Sequence, residues 1–180
     1  MDHDLYIREL INRLARLETT SAWQGDLNPA QRSVLGYLAR ANRFSRSPSH
    51  VAEYLGSTRG TVSQTFKSLV QKGYVIEQRS QTDKRAISFD LTDKGVLATD
   101  EPRLMSQAIS KMDKQTSASL TASLETLLLS LLKENGGRAF GICSQCQYFA
   151  SRKNGGYCTL LSEDVSLAES SKICHEQEPA

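Results

Sequence analysis

Residues 47–95 read SPSHVAEYLGSTRGTVSQTFKSLVQKGYVIEQRSQTDKRAISFDLTDKG. This order predicts two short helices followed by an antiparallel hairpin. Ser47 can cap the orphan N–H groups of a helix start, and Pro48 at the first helical position has no N–H to satisfy. Val51, Ala52 and Leu55 give the first helix one apolar side, and Gly56 can take the left-handed conformation that ends it. Ser57 is then expected to cap a second helix over about residues 58–72. Val62, Phe66, Leu69 and Val70 recur there at helical spacing as a buried stripe. The opposite side carries Gly60, Thr61, Ser63, Gln64, Lys67, Ser68 and Gln71, small or polar and without an acid. A helix pair with so short a turn is the helix-turn-helix arrangement. Its acid-free face can approach polyphosphate and base edges without repulsion.

After Gly73, the run Tyr74-Val75-Ile76 and the alternation of Ile87, Phe89 and Leu91 with Ser88 and Asp90 have period two, which predicts two paired strands. The hairpin tip, Arg79-Ser80-Gln81-Thr82-Asp83-Lys84-Arg85, holds three cations and one acid. Such a tip can reach along a duplex to a phosphate or the minor groove. Charge is distributed to match. Residues 28–95 hold eleven Lys and Arg against five Asp and Glu, a surplus of six positive charges, while the rest of the chain is negative by four. Positive charge gathered on one segment is an electrostatic footprint of nucleic-acid binding.

Outside this stretch, Leu10, Ile11, Leu14 and Leu17 recur along a predicted helix over residues 4–23, and Asn28-Pro29 opens another bearing Val34, Leu35, Leu38 and Ala41. A helix from about Thr92 should break or kink near Pro102. Leu120, Leu124, Leu127, Leu128, Leu131 and Leu132 form a stripe over 117–134 that is too wide for the small domain to cover. Pairing with the first helix across a two-fold axis would bury it as a dimer interface; intramolecular core is the other reading.

Residues 1–135 resemble the MarR family of bacterial transcription regulators. The resemblance rests on the helix pair with its Gly56-Ser57-Thr58 turn, the Gly73-Tyr74-Val75 step into the first strand, the wing with Asp83-Lys84-Arg85, and Leu91-Thr92-Asp93-Lys94-Gly95 opening the next helix. It implies a mainly α winged helix-turn-helix with a small β-hairpin wing and N- and C-terminal dimerisation helices. It also implies a homodimer on double-stranded DNA, its recognition helix in the major groove and its wing near the minor groove. By that match Asp83 shapes the wing and Arg85 touches DNA. Candidate DNA-binding residues are therefore Ser57, Thr58, Arg59, Gly60, Thr61, Ser63, Gln64, Lys67, Arg79, Asp83, Lys84 and Arg85.

Beyond Gly136-Gly137 the chain changes character. All four cysteines lie there, Cys143, Cys146, Cys158 and Cys174, in a C-x2-C-x11-C-x15-C array. The acidic start, Met1-Asp2-His3-Asp4, lacks the charged and apolar run of a secretion signal, so a cytoplasmic setting with reduced thiols is expected. There, clustered cysteines more often hold metal than pair as disulfides. Four thiolates suit either a tetrahedral zinc site or a single 4Fe–4S cluster. A tail of 45 residues, 136–180, has too few aliphatics to fold alone, so a bound metal would supply the missing stability. The single C-x2-C knuckle and the flanking Tyr148, Phe149, Tyr157, Leu160 and Ile173 resemble the high-potential iron–sulfur type, with a shorter loop before Cys158. That favours 4Fe–4S, with zinc as the alternative, and suggests a redox-responsive regulator acting on a palindromic operator.

Other classes find less support. An iron–sulfur electron carrier or accessory subunit needs no cation-rich, acid-free helix. No P-loop, dinucleotide glycine pattern or His-Glu-x-x-His helix is present, so no enzyme is indicated. Nothing approaches the ~18 apolar residues of a membrane span. A small-molecule ligand is compatible with the resemblance but has no locating motif. His50 reads as a helix-surface residue.

Overall fold

The computed structural model describes residues 2–23, 25–79, 87–100 and 104–179. The chain opens with α1 (His3–Ser21), capped by the Asp2 carboxylate, and continues with α2 (Pro29–Arg40). Asn28 and Gln31 form a reciprocal capping box at the start of α2. A 3-10 turn, Arg43–Ser45, leads into α3 (Pro48–Tyr54), whose start is capped by the Ser47 hydroxyl as expected.

Gly56 is left-handed at φ +58°, and the Ser57 N–H returns to the Ala52 carbonyl at 2.9 Å. Because Ser57 is used in closing α3, the cap of α4 (Arg59–Gln71) falls to Thr58 instead, whose Oγ1 accepts from the Thr61 N–H at 3.1 Å. The hairpin follows as β1 (Val75–Arg79) and β2 (Ile87–Leu91), antiparallel, with Arg79 opposite Ile87.

Val34, Leu35, Tyr37 and Leu38 from α2 meet Val51, Ala52, Val62, Phe66 and Leu69 in one core. Phe89 of the hairpin stacks on Phe66 at 3.9 Å between ring centroids. Val70, expected in the buried stripe, is 41% exposed; it lines an open cleft of about 440 Å³ between α4 and the hairpin. α5 (Asp93–Thr99) starts where Thr92 caps the Gly95 N–H and donates to the Gly73 carbonyl at 2.7 Å. A side chain at Gly95 would collide with the Tyr74 carbonyl oxygen, so only glycine lets α5 close onto the strand.

α6 (Leu104–Ile109) and α7 (Lys114–Asn135) follow; α5 and α6 flank the expected break, while Pro102 itself lies outside the described residues. Neither α1 nor α7 buries a residue in the single chain, and Leu14, Leu124 and Leu128 are each about half exposed. The leucine stripe is therefore no part of an intramolecular core. Gly136, left-handed at φ +65°, ends α7.

From there the chain returns to the unit built of α2 to α5 and the hairpin, the head. Phe140 and Ile173 join the head's core, and Phe140 meets the Tyr54 ring edge-on at 5.3 Å. Between them lie a 3-10 turn at Cys143–Gln145, then β3 (Phe149–Arg152), β4 (Gly155–Cys158), β5 (Glu163–Ser166) and α8 (Leu167–Ser170). The three strands form an antiparallel meander in that order.

Candidate nucleic-acid interface and cysteine module

Helix α4 owes its outward face to its inward one. With Val62, Phe66 and Leu69 sealed in the core, the helical period turns Arg59, Gly60, Thr61, Gln64 and Lys67 to solvent. Ser57 and Thr58, in the turn, are also exposed, and Ser63 is half-buried beside the cleft. The Thr58 and Thr61 hydroxyls share a hydrogen bond of 2.8 Å, and Thr65 bonds back to the Thr61 carbonyl. These contacts fix the hydroxyls at the helix start without covering them. Among the described residues neither Arg59 nor Lys67 has an ion pair. Arg79 does, with Glu77 at 2.8 Å, on a largely exposed strand end. Asp83, Lys84 and Arg85 lie outside the described residues.

The cysteine module presents its thiols from separate elements. Cys143 and Cys146 sit on one 3-10 turn, held by Cys146 N–H to the Cys143 carbonyl at 3.2 Å. Cys158 ends β4, opposite Phe149, and Cys174 lies on the returning chain with its N–H on the Gly141 carbonyl at 2.9 Å. All four are buried, and none is in a disulfide. Cys143, Cys158 and Cys174 pack with Val165 in a small second core covered by Phe44, Tyr148 and Phe149.

The neighbouring Cys174 sulfur, burial, and the negative charges that Cys174, Cys158 and Cys146 can carry push the Cys143 thiol up. Cys174 is pulled down, first by the neighbouring Cys143 thiol and then, against burial, by the polar groups around it, the Asn42 side chain, the Glu176 backbone and the Ser45 side chain. Cys174 is thus the sulfur this environment favours as a thiolate. Among the described residues no three His, Cys, Asp or Glu side chains stand in an arrangement that could hold a metal ion.

Sequence reading missed the seam where this module meets α3. His175, 8% exposed, stacks on His50 at 3.8 Å. Its Nε2 lies 3.2 Å from Glu53, its Nδ1 3.2 Å from Glu176, and Glu176 pairs with Arg138 at 2.8 Å. His50 is therefore no plain surface residue but half of a stacked pair. Its pKa is pulled down to about 4 by burial and by the neighbouring His175. Asn42 and Ser45, both fully buried, form the other side of the seam. Two polar residues just past a helix end gave no sequence signal that distinguished them from loop.

Residues 25–86 match the model of the MarR family. A MarR transcriptional regulator from Methanosarcina mazei Go1 superposes with a TM-score of 0.59 at 24% identity, covering 71% of this chain and 97% of that one. The S. aureus MepR–DNA complex gives 0.56 at 20% identity, covering 72% and 98%. Streptococcus pneumoniae FabT in complex with DNA gives 0.54 at 23%, covering 73% and 95%. No curated protein sequence matches. The head shares the winged-helix fold of these structures, and more than a quarter of the chain lies outside each superposition. No helix among the described residues is long and apolar enough to cross a membrane.

Proposed function

We propose that the chain is a homodimeric, sequence-specific DNA-binding transcription regulator with a metal-binding C-terminal module. The observation that carries the first half is α4: an exposed, acid-free face led by Arg59 and Lys67, on a fold whose solved examples include two complexes with DNA. Thr58, Thr61, Ser63 and Gln64 offer hydroxyl and amide groups to base edges or phosphates, and Arg59 serves either. Ser57 and Gly60 allow close backbone approach at the helix start. Arg79, Lys84 and Arg85 supply the wing's phosphate or minor-groove contacts, and Asp83 shapes the wing. The bare leucines of α1 and α7 pair two copies, so that two heads meet the half-sites of a palindrome.

An operator selected from random duplexes by the full chain tests this reading. Arg59→Ala and Lys67→Ala should each weaken binding, and loss of a phosphate contact should flatten the salt slope by about 1. Selection of no sequence, or a slope unchanged in both variants, removes α4 from the duplex. Leu124→Asp with Leu128→Asp should give monomers in sedimentation; persistent dimers would place the interface elsewhere.

The second half rests on the four cysteines. They are buried together without disulfides in a module whose own apolar core is little more than Val165. Cys143, Cys146, Cys158 and Cys174 would have to draw together from their present arrangement, in which no three described residues could hold a metal ion, to take a 4Fe–4S cluster, with zinc as the competing occupant. Aromatic cover from Phe44, Tyr148 and Phe149 suits a cluster shielded from water. Bound there, a cluster would supply a one-electron redox change and make the regulator redox-responsive. Anaerobic purification with iron, sulfide and zinc analysis decides the occupant: iron with sulfide supports the cluster, one zinc per chain replaces it, and neither removes the metal.

A further inference from the structure

Helix α7 ends at Gly136, and the chain turns back so that Phe140 joins the head's core, edge-on to the rings of Tyr54 at 5.3 Å and His175 at 5.2 Å. Two residues before that anchor, Arg138 is brought to the flank of α3. A polar cavity of about 540 Å³ lies there. Ser49 and Glu53 of α3, Ser57 of the turn and Arg59 at the start of α4 line it from one side, and Arg138 and His175 from the other. The cavity therefore runs from the seam of the module to the residues that lead α4 outward. Arg138 comes from outside the stretch 25–86 that matches the family model, yet it shares a cavity with that stretch's Arg59.

The Arg138 guanidinium keeps one edge free. Its Nη1 donates to Glu176 at 2.8 Å, and its Nε stands 4.0 Å from Glu53, too far for a hydrogen bond. Its Nη2 has no partner among the described residues. The side chain is 52% exposed, so its pair with Glu176 is weak and orients the group more than it neutralises it. Glu53, the acid on the cavity wall, is engaged by His175 Nε2 at 3.2 Å. Arg59 is exposed and has no ion pair among the described residues. A planar guanidinium with a free edge, beside a second unpaired cation and the exposed Ser57 hydroxyl, offers the donors that a phosphodiester oxygen takes.

We infer that Arg138 is a DNA-backbone contact, a cation that the connector to the module adds to the winged helix. It seats a phosphate of the duplex at the mouth of this cavity, across from Arg59. This rests on the reading of α4 as the helix that enters the major groove. Phosphate contacts fix the register of a reading helix and carry no sequence information themselves. Arg138 therefore raises affinity for every duplex, and the docked module widens the footprint beyond α4 and the wing.

The test uses the full chain and an operator that it selects from random duplexes, with affinity measured from about 50 to about 200 mM salt. Arg138→Ala should weaken binding about threefold to tenfold, alike for operator and unrelated duplex, and flatten the salt slope by about 1. Arg138→Lys should restore the slope, because a point charge still displaces the counterion. Ethylation interference should show one phosphate in each half-site whose modification weakens the wild type and leaves Arg138→Ala indifferent. Glu176→Gln separates this from a merely structural pairing. It removes the ion pair but keeps the cation, and should bind at least as tightly as wild type with the slope intact. Glu176→Gln as weak as Arg138→Ala, or Arg138→Ala with the wild-type slope, overturns the inference and leaves the regulator reading standing. Wild-type protein that selects no sequence removes that reading, and the inference with it.

Discussion

In the head, Leu35, Leu38, Val51, Phe66 and Leu69 are each no more than 1% exposed, and their side chains touch one another across three helices. In the module only Val165 is comparably buried, and sulfur makes up most of the interior around it. The head therefore owes its cohesion to removing apolar area from water. The module borrows part of that from the head, by lending it Phe140 and Ile173, and holds the remainder through its thiols and short sheet. The difference explains how a segment of this composition can be ordered: it is folded against something already stable.

That contrast breaks first at Phe66. Its ring is stacked on Phe89 at the centre of the head, so Phe66→Ala should cost about 3–5 kcal/mol in urea unfolding. Because the module is docked on this core, protection of its amides against exchange should fall with the head's. Module amides that stay protected while the head unfolds would show two independent units. Ile173→Ala asks the same from the other side. The residue is contributed by the module but 8% exposed within the head's core, so about 2–4 kcal/mol should be lost in a single transition. A change confined to the module would mean that the docking contributes nothing to the head.

The two regions also differ in how much of them the sequence disclosed. In the head, each local signal agreed with its neighbours: Ser47-Pro48 at a helix start, Gly56 at its end, a 3.6 period, then a period of two. One slip there has a plain cause. Whether Ser57 or Thr58 caps α4 depends on which N–H closes α3, and adjacent hydroxyl residues look alike in sequence. Val70 departs from the expected stripe because an amphipathic pattern does not reveal that the hairpin leaves a cleft over it. In the module, spacing showed which residues belong together but not where they sit. Its seam with α3 is made by contacts over 120 residues apart, such as His175 with Glu53, and no local pattern encodes them. The candidate site divides the same way: the α4 face was legible, while Asn42, Ser45 and the stacked histidines were not.

Gly95 sharpens the comparison on the head's side. A methyl there meets backbone, the Tyr74 carbonyl, which has no rotamer to move aside. Gly95→Ala should cost about 1–3 kcal/mol by overpacking, read as a lower urea midpoint at unchanged slope. A variant as stable as wild type would mean that α5 can slide away from the strand, and that the Leu-Thr-x-x-Gly exit is not a packing constraint.

The smallest expected effect lies on the seam itself. His50 has its pKa pulled down to about 4 by burial and by His175, with Arg138 acting in the same direction and Glu176 and Glu53 opposing. Its Nδ1 is buried with no partner among the described residues, so the folded protein prefers the neutral ring. In the unfolded chain the ring takes a proton near its ordinary value of about 6.5. The folded state therefore binds fewer protons between those values. The contribution of His50 is fully present above about pH 6.5 and is lost progressively as pH falls toward 4. The ring is only partly buried, so solvent screening brings the effect to about 1 kcal/mol. His50→Phe keeps the stack but cannot titrate. Subtracting its urea stability from that of wild type between pH 7.5 and 4.5 removes the carboxylates common to both. The difference should decline with acid over that window; a flat difference would show that His50 exchanges protons as freely folded as unfolded, and that the seam is open to water.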